Sequence, residues 1–259
     1  TYYIYSDTYY NDEYVNRYMY ADGSNLKLNT SLSVTDAYKW TCKVTADGKV
    51  QFQNGAGKYL AHKGIQDTPY NFTLNKYNAN HAIAATLYSD AASRYFVVKN
   101  DGASFDQSTG TYNQTTDNHC SDFVFMPVND VKVLTVNGSN KAGDATATWN
   151  GETKTLPASW VITPQTTITD ATLTINGGEN YSFNGLYDGA TSLGMTTEIE
   201  SLDGNLTLTA KLTPTFFSAT TAENDLVPVR IRNVRNADYT LRLNASDNYT
   251  GKAVNSGKT

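Results

Sequence analysis

Short runs of alternating apolar and polar residues, cut by Asp-Gly and Asn-Gly pairs, constrain this chain more than any other feature. The pairs stand at Asp22-Gly23, Asp47-Gly48, Asn54-Gly55, Asp101-Gly102, Asn137-Gly138, Asn150-Gly151, Asp188-Gly189 and Asp203-Gly204. Such dipeptides tolerate the positive φ angles that tight hairpins require. No long stretch carries a convincing 3.6-residue period. Many short strands joined by tight turns define an all-β chain of sandwiches or barrels. At roughly 100–200 residues per domain the length allows about two domains.

Composition excludes several classes. The chain is 12% aromatic with a net charge of only -5, which is not the signature of disorder. No apolar run approaches the length of a membrane-spanning helix. There is no basic excess of the kind that nucleic acid selects. Tyrosine (19) outnumbers Phe (9) and Trp (3) together. Each tyrosine joins an apolar ring to a hydroxyl that needs a partner, a chemistry that suits wet contacts with sugars or proteins and equally an ordinary secreted β domain. The first residue is Thr1, so the chain is expected to be a processed or trimmed part of a longer protein. Cys42 and Cys120 make neither a disulfide framework nor a zinc site. They are either one disulfide or two free thiols.

The first half repeats internally. Arg17-Tyr18-Met19-Tyr20 returns as Lys58-Tyr59-Leu60 and as Arg94-Tyr95-Phe96-Val97. Each opens a unit of roughly 40 residues, a spacing that signals repeats. Each unit also holds an aromatic-x-apolar strand: Trp40-Thr41-Cys42, Phe72-Thr73-Leu74 and Phe123-Val124-Phe125. Period-2 spacing sets both apolar members on one face. Three such units predict closure about a pseudo-threefold axis, with Thr1-Tyr2-Tyr3-Ile4-Tyr5 as the closing strand and Trp40, Phe72 and Phe123 in one core.

On these motifs, and on Gly57-Lys58-Tyr59-Leu60, residues 1–128 resemble the ricin-type β-trefoil family. The resemblance implies a trefoil fold and, for lectin members, sugar binding. Lectin repeats carry Gln-x-Trp, where this chain reads Tyr38-Lys39-Trp40, Tyr70-Asn71-Phe72 and Ser121-Asp122-Phe123. The sugar-gripping Asp of those repeats is replaced by Tyr20, Ala61 and Val97. After Pro127 the pattern changes. A strand over 131–136 and further strands near 144–149, 154–163, 166–176, 180–187, 195–202 and 205–212 resemble a small immunoglobulin-like spacer. The style is that of secreted multimodular glycan-degrading proteins of gut Bacteroidetes. The expected domains are a β-trefoil over 1–129, an Ig-like β-sandwich over 130–213, and a tail over 214–259. The tail is read as a hairpin or the start of a further module.

Chemistry-bearing motifs are sparse. His62, His81 and His119 stand apart, and no Cys-x-x-Cys, Gly-x-Ser-x-Gly or phosphate loop occurs. No cofactor, metal or catalytic residue is expected. Arg230 and Arg232 share a strand face and read as a basic edge. For sugar binding the useful parts are a ring and convergent polar groups. The first repeat offers Tyr20, Asp22, Asn25 and Tyr38. The second offers His62, Lys63, Gln66, Asp67 and Tyr70. The third offers Asp101, Ser104, Asp106, Gln107 and Tyr112. The first set is the candidate carbohydrate site, because it pairs two rings with an Asp-Gly hairpin. The expected function is a non-catalytic carbohydrate-binding accessory region of a larger secreted or cell-surface bacterial protein. The alternative is a structural or adhesive module that binds a protein surface, for which the run Tyr2, Tyr3, Tyr5, Tyr9, Tyr10 and Tyr14 is the pointer.

Overall fold

The structure, a computed structural model, describes residues 1–10, 13–62, 64–76, 84–99, 104–111, 120–139, 144–179, 181–214, 232–233 and 236–240. The fold is all-β. Residues 1–214 form one compact unit and 215–259 a second.

The larger unit opens with twelve strands in one sheet. They are β1 (Tyr2–Tyr10), β2 (Glu13–Asp22), β3 (Asn25–Asn29), β4 (Lys39–Val44), β5 (Val50–Asn54), β6 (Tyr59–Ala61), β7 (Gly64–Gln66), β8 (Thr73–Lys76), β9 (Ala84–Ser89), β10 (Arg94–Val98), β11 (Phe105–Ser108) and β12 (Asp122–Pro127). They fall into three sets of four with one pairing scheme. In each set the first strand pairs with the second and the second with the third. The first also pairs with the fourth, through the bridge Val50↔Phe72 in the middle set. Neighbouring sets join as β4–β5, β8–β9 and β12–β1. Strands β1, β4, β5, β8, β9 and β12 therefore close into a ring, which leaves no open edge among them.

The repeat seen in sequence follows this scheme. Tyr18 pairs with Tyr5 and Asn29, Tyr59 with Gln53 and Gln66, and Tyr95 with Tyr88 and Ser108. Each tyrosine thus marks the point where a second strand leaves the ring for its hairpin. The next residue, Met19, Leu60 or Phe96, is buried in one common cluster. Two further triplets join it: Ile4, Phe52 and Leu87 from the first strands, and Trp40, Phe72 and Phe123 at the fourth. Full burial of such side chains contributes about 1.5–3 kcal/mol each.

A 3-10 turn at Val128–Asp130 leads into nine more strands. These are β13 (Lys132–Gly138), β14 (Thr146–Trp149), β15 (Glu152–Thr155), β16 (Ala158–Ile162), β17 (Thr172–Asn176), β18 (Tyr181–Asp188), β19 (Thr191–Gly194), β20 (Thr197–Glu198) and β21 (Leu206–Pro214). One sheet runs β16-β13-β21-β18-β19 and the other β15-β14-β17-β20. Leu134, Val136, Leu186 and Leu208 from the first meet Ala147, Trp149 and Leu173 from the second in one core. Three strand spans expected from sequence change here. The run 154–163 is two strands, because Pro157 has no N–H for a ladder. Within 166–176 only Thr172–Asn176 is strand, and within 195–202 only Thr197–Glu198. A Cβ on Gly177 would collide with the Tyr181 carbonyl oxygen, so only glycine fits that corner.

A third cluster joins the two parts of this unit. Tyr3, Tyr5, Tyr18, Tyr38, Val124 and Met126 are buried with Val131, and Val161 packs against them. Gln165 Nε2 donates to Tyr5 Oη at 3.1 Å. Tyrosine fills such a joint because its ring excludes water while its hydroxyl still finds a partner. In the smaller unit, β22 (Arg232–Asn233) pairs antiparallel with β23 (Asn236–Thr240). Arg230 lies outside the described residues.

Candidate functional site

The β2–β3 hairpin turns at Gly23, whose φ of +60° is the left-handed geometry glycine adopts freely. Alternation then sorts its side chains. Met19 and Ala21, opposite Leu28 and Leu26, belong to the core side. Tyr20 and Asp22, opposite Lys27 and Asn25, share the other face. Three of the four sequence-chosen residues, Tyr20, Asp22 and Asn25, therefore stand on one hairpin face. The fourth, Tyr38, arrives from the 3-10 turn ahead of β4 and stacks on Tyr20, with ring centroids 4.7 Å apart and planes 9° apart. Tyr38 is buried, and its Oη accepts from Asn29 Nδ2 at 2.9 Å. It is thus a support beneath Tyr20 rather than a second open platform, because its ring is buried in one cluster with Tyr3, Tyr5 and Tyr18.

Lys27 was not among the sequence-chosen residues. The signal was present in Leu26-Lys27-Leu28, whose alternation turns Lys27 outward opposite Tyr20. Its ammonium ion-pairs with the Asp22 carboxylate, and both side chains are about half exposed. The hydrogen bond to Asp22 holds the Lys27 ammonium above its ordinary pKa. Exposed pairs of this kind are weak and open readily. The face offers one ring, a carboxylate, an amide and an ammonium, which together accept and donate hydrogen bonds beside an apolar surface.

The other repeats assemble differently. His62 stacks on Tyr70 at 5.2 Å, and the Tyr70 hydroxyl bonds Ser89 Oγ. Asp67 is tied to Lys58, and Gln66 Nε2 donates to Thr68. In the third, Asp106 pairs with Lys99 at 3.6 Å. Lys63, Asp101, Tyr112, His81 and His119 lie outside the described residues, and the side chains of Tyr9, Tyr10 and Tyr14 are not described. Cys42 and Cys120 are both free thiols. Burial pushes the Cys120 thiol up to about 12, away from reactivity.

Among the described residues, no group of three or more His, Cys, Asp or Glu is placed to hold a metal ion. None of them forms a helix long and apolar enough to cross a membrane. Hydrogen bonds from Thr45 and Lys49 hold the Asp47 and Asp90 carboxyls below their ordinary range. Fold and site together define an all-β chain bearing a polar, ring-backed hairpin face. Comparison with protein-family models and with curated proteins finds no match for the sequence.

Proposed function

We propose that this chain is a non-catalytic carbohydrate-binding accessory region, a ricin-like β-trefoil followed by an Ig-like spacer in a longer secreted or cell-surface bacterial protein. The observation that carries the reading is the hairpin face, where Tyr20, Asp22, Asn25 and Lys27 line up over Tyr38. A sugar lays its apolar face on Tyr20 while its hydroxyls exchange with Asp22, Asn25 and Lys27. The trefoil assignment is supported by three four-strand sets with one pairing scheme. The spacer assignment is supported by two sheets around one core. Its strand order differs from that of immunoglobulin domains, so the likeness is one of architecture. The test is a glycan array on the whole chain, followed by titration of any hit. A shallow face of this kind is expected to bind with Kd on the order of a millimolar. Tyr20→Ala and Asp22→Ala should each weaken binding at least several-fold. Silence across a broad array, or binding indifferent to both substitutions, refutes the reading.

One observation favours the protein-binding alternative. Strands β1 and β2 run five residue pairs beyond Tyr5↔Tyr18, from Ser6↔Arg17 to Tyr10↔Glu13. At about 3.4 Å per residue that is an arm of roughly 17 Å. A two-stranded arm of this length is the kind of surface that a partner strand can extend. Deleting the arm should abolish partner capture under this alternative and leave sugar binding intact under the first.

A further inference from the structure

Away from the hairpin face, a cleft of about 470 Å³ opens between the twelve-stranded sheet and the two-sheet part. Its volume falls within the roughly 300–1,000 Å³ of small-molecule sites. The segment after β3 supplies Thr30 and Ser31, and the β14–β15 hairpin and β16 supply Trp149, Glu152, Lys154 and Trp160. Two features set it apart from a passive seam. The indole N–H groups of Trp149 and Trp160 are buried with no acceptor. The residues themselves are only 1% and 4% exposed, and their rings meet edge to face at 6.0 Å. Buried donors are ordinarily satisfied, so two such donors beside one cleft need a reason.

The second feature is Lys154. Its ammonium sits 5.2 Å from the Trp160 ring centroid. It donates to the Ser159 carbonyl at 2.8 Å and pairs with Glu152 at 3.1 Å. The lysine therefore straps the indole from the cleft side by contacts with exposed groups, which open readily. Because Glu152 and Lys154 cancel in charge, the lining favours a neutral ligand. The hydroxyls of Thr30 and Ser31 add groups that both donate and accept.

We propose that this cleft is a second ligand site, which takes a neutral saccharide of one or two rings. Lys154 swings off Trp160 as the sugar enters, and sugar oxygens become the acceptors that Trp149 and Trp160 lack. The site uses residues from both parts of the unit and none of the hairpin-face residues, so it stands or falls independently of that face.

The chain has three tryptophans, so a ¹⁵N-labelled sample shows three indole N–H signals. The probes are glucose, galactose, N-acetylglucosamine, lactose and cellobiose, each raised to tens of millimolar. At least one is expected to move the Trp149 and Trp160 signals together. The Trp40 signal should stay fixed, because that N–H donates to the Met19 carbonyl at 3.2 Å in another core. Ser31→Tyr fills the cleft from an exposed position and should weaken the response at least tenfold. Thr30→Tyr serves instead if Ser31→Tyr loses the Trp40 signal that marks the folded state. Asp22→Ala, on the hairpin, should leave the response unchanged. The proposal is overturned if no probe moves the pair or if the cleft-filling variant responds like the parent. It is equally overturned if Asp22→Ala abolishes the response, since that places the sugar on the hairpin.

Discussion

Trp40→Ala tests the threefold core most directly. Trp40 is fully buried among Met19, Phe52, Phe72 and Phe123, and its indole N–H donates to the Met19 carbonyl at 3.2 Å. Truncating a core aromatic to alanine costs about 3–5 kcal/mol, from lost transfer energy and the cavity left behind. Losing the hydrogen bond adds about 0.5–1.5 kcal/mol, so Trp40→Ala belongs at the upper end. Phe72→Ala and Phe123→Ala remove the equivalent ring with no hydrogen bond and belong nearer the lower end. Trp40→Phe keeps most of the ring and should cost only about 1–3 kcal/mol, chiefly through the stranded carbonyl. Against a typical total of about 5–15 kcal/mol, the alanine variants lose a large share of the stability. Guanidinium unfolding followed by far-ultraviolet circular dichroism is the right assay, because the substitution removes one of three fluorescent indoles. The slope m should stay constant while the midpoint falls. A loss below about 1 kcal/mol for Trp40→Ala would refute the shared core. So would a large loss there beside no loss for Phe72→Ala and Phe123→Ala.

Three other outcomes are expected. Burial raises the Tyr3 and Tyr18 hydroxyls above 10.0 and the Cys120 thiol from 9.0 to about 12. In each case the folded state holds the proton more tightly. Their contribution is therefore complete below pH 9, starts to fall there through Cys120, and falls further above pH 10 through the tyrosines. Denaturant midpoints measured from pH 7 to 11 should show that decline, with Tyr18→Phe flattening its upper part. Thiol labelling of the native chain should modify half-buried Cys42 faster than Cys120, with no mass change on reduction, since both are free. Gly177→Ala should destabilise the two-sheet part by about 1–3 kcal/mol or more, because its Cβ has no room beside the Tyr181 carbonyl; an unchanged melting curve counts against that.

Much of the all-β organisation was legible in local pattern. Alternation and Asp-Gly or Asn-Gly turns encode strand period and strand ends, because both depend on neighbours a few residues apart. The threefold recurrence of Tyr18, Tyr59 and Tyr95 carried further, since equal local signals must occupy equal environments when three sets share one core. That is why Trp40, Phe72 and Phe123 were identifiable as core, whereas Tyr20, Asp22, Asn25 and Tyr38 were grouped by two rings beside an Asp-Gly hairpin. The same pattern misread 154–163 as one strand, where Pro157 divides it.

What local pattern leaves open is which surfaces meet across the chain. Tyr38 looked like an open platform by its place in the repeat. Tertiary packing made it a buried support, because it lies in one cluster with Tyr3, Tyr5 and Tyr18 while Tyr20 stacks on it. Whether Cys42 and Cys120 pair depends on where two distant strands lie, and no spacing encodes that. The cleft between Thr30–Ser31 and Trp149–Trp160 exists only because residues over a hundred positions apart are brought face to face. Periodicity and turn chemistry in the sequence determine the strands and the triplicate core. The joint, the support beneath Tyr20 and the cleft were decided by tertiary structure alone, because each is built from contacts between groups that share no local signal.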